Sequence, residues 1–335
     1  MKSTHLVIPD LFLPKDIAAE VCADLHLPAL EKLLGKGHSK TQQSAPLENL
    51  LCELFGVQCP EDSPVAPVSA AFDGLAGGFW LRADPVHLRL QRDQMLLAGA
   101  LASRDEAAQF CASLNDHFTG QGMEFFAPHP QRWYVRLGTL PRIRTTPLSE
   151  VLGGNVRSAL PAGEDAAHWN RLFNEIQMLL FAHPLNEVRE ERGELPINSL
   201  WLWGAGLMEG TLRKTYDSAS SDEQLVEMFA AAAGVPFAAW TEQWYEKVGV
   251  GRQLLVWTGL QSALQRGDLA AWRAALQDFE AGYAQPLWQA LRSGKITQLQ
   301  LDIPGEHGMR RVQLKRVDTW AIWRRAKCLA DYSQV

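Results

Sequence analysis

The sequence predicts an α/β fold carrying a smaller inserted α+β lobe, and three observations predict it. A buried strand followed by two amphipathic helices opens the chain, strands and helices alternate again toward its end, and a stretch rich in proline and glycine leads into a middle section of different texture. At 335 residues the chain exceeds the usual size of one hydrophobic core, so two lobes are expected. Two consecutive domains would leave a similar pattern, and the sequence alone keeps that alternative open.

The elements follow in order. "HLVIPD" is an aliphatic run ended by Pro9 and Asp10, a buried strand. "LPALEKLLGKG" is a helix with Pro28 in its first turn and Gly35 and Gly37 at its end. "PLENLLCELFG" is a second helix, with Leu47, Leu50, Leu51, Leu54 and Phe55 on one face. The junction "CPEDSPVAPVSAAFDGLAGGFW" follows, then the short strands of "WLRADPVHLRL", "DQMLLAG" and "RWYVRLGTLPRIR". Between the last two, "SRDEAAQFCASLNDHF" is a helix whose Ser103 and Glu106 have capping-box spacing. In "AGEDAAHWNRLFNEIQMLLFAH", Trp169, Leu172, Phe173, Ile176, Leu179 and Leu180 recur at helical spacing.

Leu200 to Trp203, between Pro196 and Gly204, reads as a fully buried parallel strand, whose carboxyl end would face the ligand crevice of an α/β fold. A helix in "SSDEQLVEMFAAAAG", the strand "QLLVW" and a helix from N-cap Asp268 come next, with Pro286 expected to kink or restart the last. "ITQLQLDI" and "MRRVQLKRVDTWAIWRR" alternate like closing sheet strands.

The net charge of −6 and pI near 5.9 disfavour a nucleic-acid partner, which selects for a basic face. Five cysteines without a CxxC pair point to reduced, buried thiols and a cytoplasmic setting, and no Cys/His cluster has zinc-site spacing. "MKSTHLVIPD" is too short an apolar run for a signal peptide, and "MFAAAAGVPFAAW" is broken by Gly234 and Pro236, so no membrane span is expected. GxSxG, HExxH, Walker and EF-hand patterns are missing. In "GAGLMEG" the final glycine lies one residue too far for the dinucleotide fingerprint, and tight backbone packing is the better reading.

"ADPVHLRLQRD" gathers Asp84, His87, Arg89, Arg92 and Asp93, and Arg132, Arg136, Arg142 and Arg144 add cations to the same lobe. Arginine forks suit phosphate or carboxylate, while a solvated arginine surface is the plain alternative. The twelve tryptophans fall mostly on apolar faces and read as core.

Together these stretches resemble the archaeal-type cofactor-independent phosphoglycerate mutases of the alkaline phosphatase superfamily. Within that circle, "LRADPVHLRLQRD", "RWYVRLG" and "NSLWLWGAG" look most like the RpfE-type regulatory protein family. The resemblance implies an alkaline phosphatase-like, mostly parallel sheet flanked by helices, built from residues 1–72 and 178–335, with an inserted α+β lobe at 73–177. In the mutases the first strand ends in a metal-binding Asp followed by Gly; here Asp10 stands there, followed by Leu11. The helix that carries the mutases' phosphoryl-accepting serine matches "PLENLLCELFGV", which puts Leu47 at the serine position. His183, Pro184, Asn186, Arg189, Pro196 and Asn198 fit the mutase pattern closely.

The later metal-binding Asp and His have no counterparts in "LVWTGLQSALQRGD", and the Asp-His pair is reduced to Asp302, with His307 as a displaced substitute. Asp10 and Asp302 are thus vestigial metal candidates only. Two-metal phosphoryl transfer needs more carboxylates and histidines than this, plus a nucleophile. The expectation is therefore a catalytically degenerate mutase homologue, regulatory or ligand-binding, with no cofactor. The rival is an active mutase or phosphatase with rearranged ligands, which would use manganese or zinc. A cleft lined by Asp84, His87, Arg89, Asn186, Arg189 and Asn198 would take a small phosphorylated or carboxylate metabolite, and a protein partner is the other possibility. Arg310, on the terminal strand, is expected to stand apart from any anion.

Overall fold

The computed structural model describes residues 2–43, 45–58, 62–75, 77–91, 94–208, 210–246, 251–305 and 308–333. The first strands are β1 (Ser3–Val7), β2 (His38–Gln42), β3 (Phe79–Gln91), β4 (Gln94–Gly99), β5 (Met123–His129), β6 (Arg132–Leu137) and β7 (Ile143–Arg144). They continue with β8 (Ala162–Gly163), β9 (Ser199–Gly206), β10 (Ser218–Ser221), β11 (Phe237–Ala239), β12 (Arg252–Val256), β13 (Gln298–Gly305) and β14 (Gly308–Lys315). The chain forms two compact units, one of Met1–Leu51 with Arg213–Val335, the other of Cys52–Leu212. The inserted unit thus reaches beyond 73–177 at both ends. Among the described residues no helix is long and apolar enough to cross a membrane.

The first unit holds a seven-stranded sheet in the order β11-β10-β12-β1-β13-β14-β2. Its first five strands are parallel, and the β13–β14 hairpin and β2 add an antiparallel edge. The fold class is therefore the expected one, a mostly parallel sheet with flanking helices. Leu6, Leu255, Leu301 and Val312 on one face pack with Leu30, Leu33, Trp272 and Leu287 of the helices. Helix Pro28–Lys36 begins with its backbone N–H groups at Ala29 and Leu30 donating to the buried Glu280 carboxylate, 2.8 and 2.9 Å away. An anion there complements the helix dipole. Just before Pro286, a π-helical turn at Glu280–Ala284 joins helix Leu269–Phe279 to helix Gln285–Ser293. The proline lacks an N–H and crowds the carbonyl of the preceding turn, which is the physical reason for the disruption expected there.

The second unit is organised by the 13-residue strand β3, which pairs antiparallel with β4, β6 and β9. This corrects the reading of Leu200–Trp203 as a parallel strand of the larger sheet. Strand β9 is buried along its whole length, and a run covered on both faces has the same apolar pattern in either kind of sheet. Leu200 and Leu202 enter a core with Trp169, Leu172 and Ile176 of helix Ala166–Phe181, the periodic helix of the sequence. Helix Arg104–His117 starts at the expected capping box: Glu106 N donates to Ser103 Oγ at 3.2 Å, and Ser103 N donates to Glu106 Oε2 at 2.8 Å.

Candidate functional site

The six residues expected to line a cleft all lie in the second unit, where five of them are committed to the framework. Arg189 is 1% exposed; it donates from Nε to Leu195 O at 3.0 Å, from Nη1 to Glu106 Oε2 at 2.9 Å and from Nη2 to Leu101 O at 2.8 Å. Its fork therefore ties the end of one helix to the capping box of another, and Arg192 adds a second cation to Glu106. Burial pushes the Glu106 carboxyl up, but hydrogen bonds from Ser103 and Arg192 and the Arg189 charge outweigh it and hold the group below its ordinary value.

Asn186 is buried and bridges three backbone groups, donating to Leu180 O and Ile197 O and accepting from Ile197 N. Asn198 copies a strand's pairing by accepting from Leu88 N at 2.7 Å and donating to Leu88 O at 2.9 Å. His87 Nδ1 lies 3.0 Å from Pro196 O. Asp84 accepts from Arg82 Nε and Nη2 at 3.1 and 2.6 Å and from the Trp203 indole at 2.7 Å. Only Arg89 is exposed. The expectation that Arg189 holds an anion is therefore corrected: its donors are spent on Glu106 and two carbonyls. Arg92 and Asp93 lie outside the described residues.

The glycines of "WGAG" serve packing. Gly204 has φ +71°, and a Cβ on Gly206 would lie 2.3 Å from Pro64 Cβ. Beside that turn the second unit holds a cavity of about 780 Å³ with a mixed polar and apolar lining and Asp62 in its wall. Asp62 accepts from Thr145 Oγ1 at 2.5 Å and from Ala205 N at 3.2 Å. Burial raises its carboxyl pKa against the pull of these bonds. Neither the proline-rich junction nor any motif marks Asp62 in the sequence.

In the first unit the two metal candidates of the sequence have different surroundings. Asp10 follows β1 with φ +59°, the only positive φ at a non-glycine residue among those described. Such strained backbone often accompanies functional sites. Its N–H donates to Pro304 O at 3.1 Å, and burial raises its carboxyl pKa while a hydrogen bond from Gln261 opposes the shift. Asp302, on β13, is fully buried and holds Arg311 in a two-pronged pair, with both contacts at 2.7 Å. His5 Nε2 approaches its Oδ2 at 2.8 Å, and His5 Nδ1 in turn meets Tyr216 Oη at 2.7 Å. Burial pushes the Asp302 carboxyl up, yet bonds from His5 and Arg311 and their charges hold it below the usual range.

This donor set does not fit a pair of divalent ions. Among the described residues no group of three or more His, Cys, Asp or Glu is placed to hold a metal. Asp222, beyond β10, spends its carboxylate on Thr258 N at 2.8 and 3.1 Å. Leu47 is the first residue of helix Leu47–Leu54 and offers no nucleophilic oxygen. His307 lies outside the described residues.

Comparison with known proteins accords with this architecture. No protein-family model matches the chain. It is similar to the 2,3-bisphosphoglycerate-independent phosphoglycerate mutase of Methanosarcina mazei, 29% identical over 150 residues that span 42% of this chain and 36% of that protein. It is also similar to the corresponding mutase 2 of Methanothermobacter thermautotrophicus, 31% identical over 104 residues spanning 30% and 26% of the two chains. The aligned stretches thus cover about a third or less of the curated relatives' length. Among solved structures, the cofactor-independent phosphoglycerate mutase of Thermoplasma acidophilum superposes with TM-score 0.50 at 13% identity, covering 100% of this chain and 96% of that one. The PH0037 protein of Pyrococcus horikoshii superposes with TM-score 0.58 at 14% identity, covering 99% and 92%. The chain has the phosphoglycerate mutase-like fold.

Proposed function

We propose that this protein is a catalytically degenerate relative of the 2,3-bisphosphoglycerate-independent phosphoglycerate mutases that acts by binding, in the manner the RpfE-type regulatory resemblance implies. The observation that carries the reading is the pairing of Asp302 with Arg311. A carboxylate that a metal would need is taken by a guanidinium from the adjacent strand, and the buried pair is costly to break. Two-metal phosphoryl transfer needs ions held about 3.5–4 Å apart by several anionic ligands, with a nucleophile in line. Asp10 and Leu47 supply neither requirement. The free thiols of Cys22, Cys111 and Cys328 accord with a cytoplasmic setting.

The ligand class is a small phosphorylated or carboxylate metabolite. A protein partner is the second reading, favoured by the exposed Leu90, Met178 and Phe181 around an apolar groove of about 340 Å³ in the second unit. The test of degeneracy is turnover of 3-phosphoglycerate and of a generic phosphomonoester with manganese, magnesium, zinc or cobalt supplied. No turnover is expected; metal-dependent turnover abolished by Asp10→Ala would overturn the reading.

A further inference from the structure

Three arginines are buried among the described residues: Arg82, Arg189 and Arg310. Arg82 is paired with Asp84 and Arg189 with Glu106. Arg310 is 9% exposed, its Nε is buried with no hydrogen-bond partner, and it has no carboxylate partner among the described residues. Its guanidinium carbon lies over the ring of Phe12 at 5.0 Å and over that of Tyr332 at 5.5 Å. Ring faces attract a cation but accept no strong hydrogen bond, so they offset only part of the lost hydration and leave the buried Nε–H without an acceptor. Burial accordingly pulls the Arg310 pKa below its ordinary value.

A buried guanidinium N–H with no acceptor, on a cation with no carboxylate partner among the described residues, is an anomaly that calls for a partner. Its location suggests which kind. Arg310 on β14 stands opposite Ile303 of β13 and Thr41 of β2. Ile303 lies one residue past the last parallel pairing of β1 with β13, Val7 with Asp302. Arg310 is therefore at the carboxyl edge of the parallel strands, where α/β folds take their ligands. The neighbouring Arg311 points to the opposite face and pairs with Asp302, so of these two arginines Arg310 is the one without a carboxylate among the described residues.

We propose that Arg310 anchors an oxyanion site in the parallel-sheet unit, its fork donating to a phosphate or carboxylate group. This reverses the expectation that Arg310 stands apart from anions. It rests on the binding reading only for the class of ligand, and binding is measurable whether or not substrate is turned over.

The test uses the full chain at constant ionic strength, titrated with inorganic phosphate and, separately, with acetate. Thermal shift and the 15N-detected arginine Nε–H spectrum are the readouts. A saturable rise in melting temperature with at least one anion is expected, together with displacement of one arginine Nε–H resonance that is missing in Arg310→Met. The arm that responds identifies the phosphate or the carboxylate as the group recognised. Arg310→Met should melt no lower than wild type without anion, because it removes an unpaired charge and fills the same apolar space. It should also lose the anion response, while Arg171→Gln, at an exposed position of helix Ala166–Phe181, keeps it. Should Arg310→Met not fold, Arg310→Lys decides: it keeps the charge without the fork and should bind about tenfold more weakly, the loss of one charge-assisted hydrogen bond. No saturable response to either anion in the wild type, or a wild-type response in Arg310→Met or Arg310→Lys, overturns the proposal.

Discussion

Arg311 on β14 and Asp302 on β13 face each other across the hairpin and form two hydrogen bonds of 2.7 Å each, with the carboxylate wholly removed from solvent. The pair gives the polar face of the sheet a fixed electrostatic centre. Removing the cation alone, in Arg311→Met, should destabilise the protein by about 3–5 kcal/mol, reduced to the extent that His5 still bonds the buried carboxylate. Chemical denaturation at neutral pH measures it.

The same pair sets a pH dependence. The folded pKa of Asp302 is depressed below its unfolded value, so its stabilisation is present above about pH 3.9 and is lost as pH falls through the folded value. Asp302→Asn should therefore flatten the acid limb of the stability profile while lowering stability at neutral pH. An unchanged acid limb would show that other carboxylates dominate there.

Arg189→Ala should lower the melting temperature sharply and leave anion binding unchanged, because the side chain serves Glu106 and two backbone carbonyls. The expected loss is about 3–5 kcal/mol, reduced to the extent that Arg192 still neutralises Glu106. Parallel melting curves and anion titrations separate the two effects.

Gly204→Val and Gly206→Val should both destabilise, for different reasons. Gly204 has positive φ, which a β-branched residue adopts only with strain. A Cβ on Gly206 would overlap Pro64, an overpacking worth about 1–3 kcal/mol. Two variants with wild-type melting temperatures would refute the packing role of the turn.

Burial pushes the Cys111 thiol up to about 12, whereas Cys328 is exposed. A thiol reagent at mildly alkaline pH should label Cys328 rapidly and reach Cys111 only when the protein unfolds. Mass spectrometry of the labelled peptides reads the order.

Local signals survived into the structure wherever the determining interactions are close in sequence. The box of Ser103 and Glu106, the first strand ending before Pro9, the N-cap at Asp268 and the disruption ahead of Pro286 all follow from neighbours within a turn or two. The fold class was legible for the same reason: alternation of buried strands with amphipathic helices dictates layers.

Pairing across the chain was not legible. The apolar run of β9 is equally suited to a parallel sheet or to an antiparallel one covered on both faces, and only its register with β3 decided. Arg310 and Arg311 are adjacent in sequence and chemically identical, yet strand alternation sends them to opposite faces. One meets Asp302 there, and the other lies over the rings of Phe12 and Tyr332 with no carboxylate partner among the described residues. By itself the sequence determined which residues could carry charge and how each segment would coil or extend. The tertiary structure decided which charges are neutralised, because a guanidinium's partner is set by strand register and burial rather than by its neighbours along the chain.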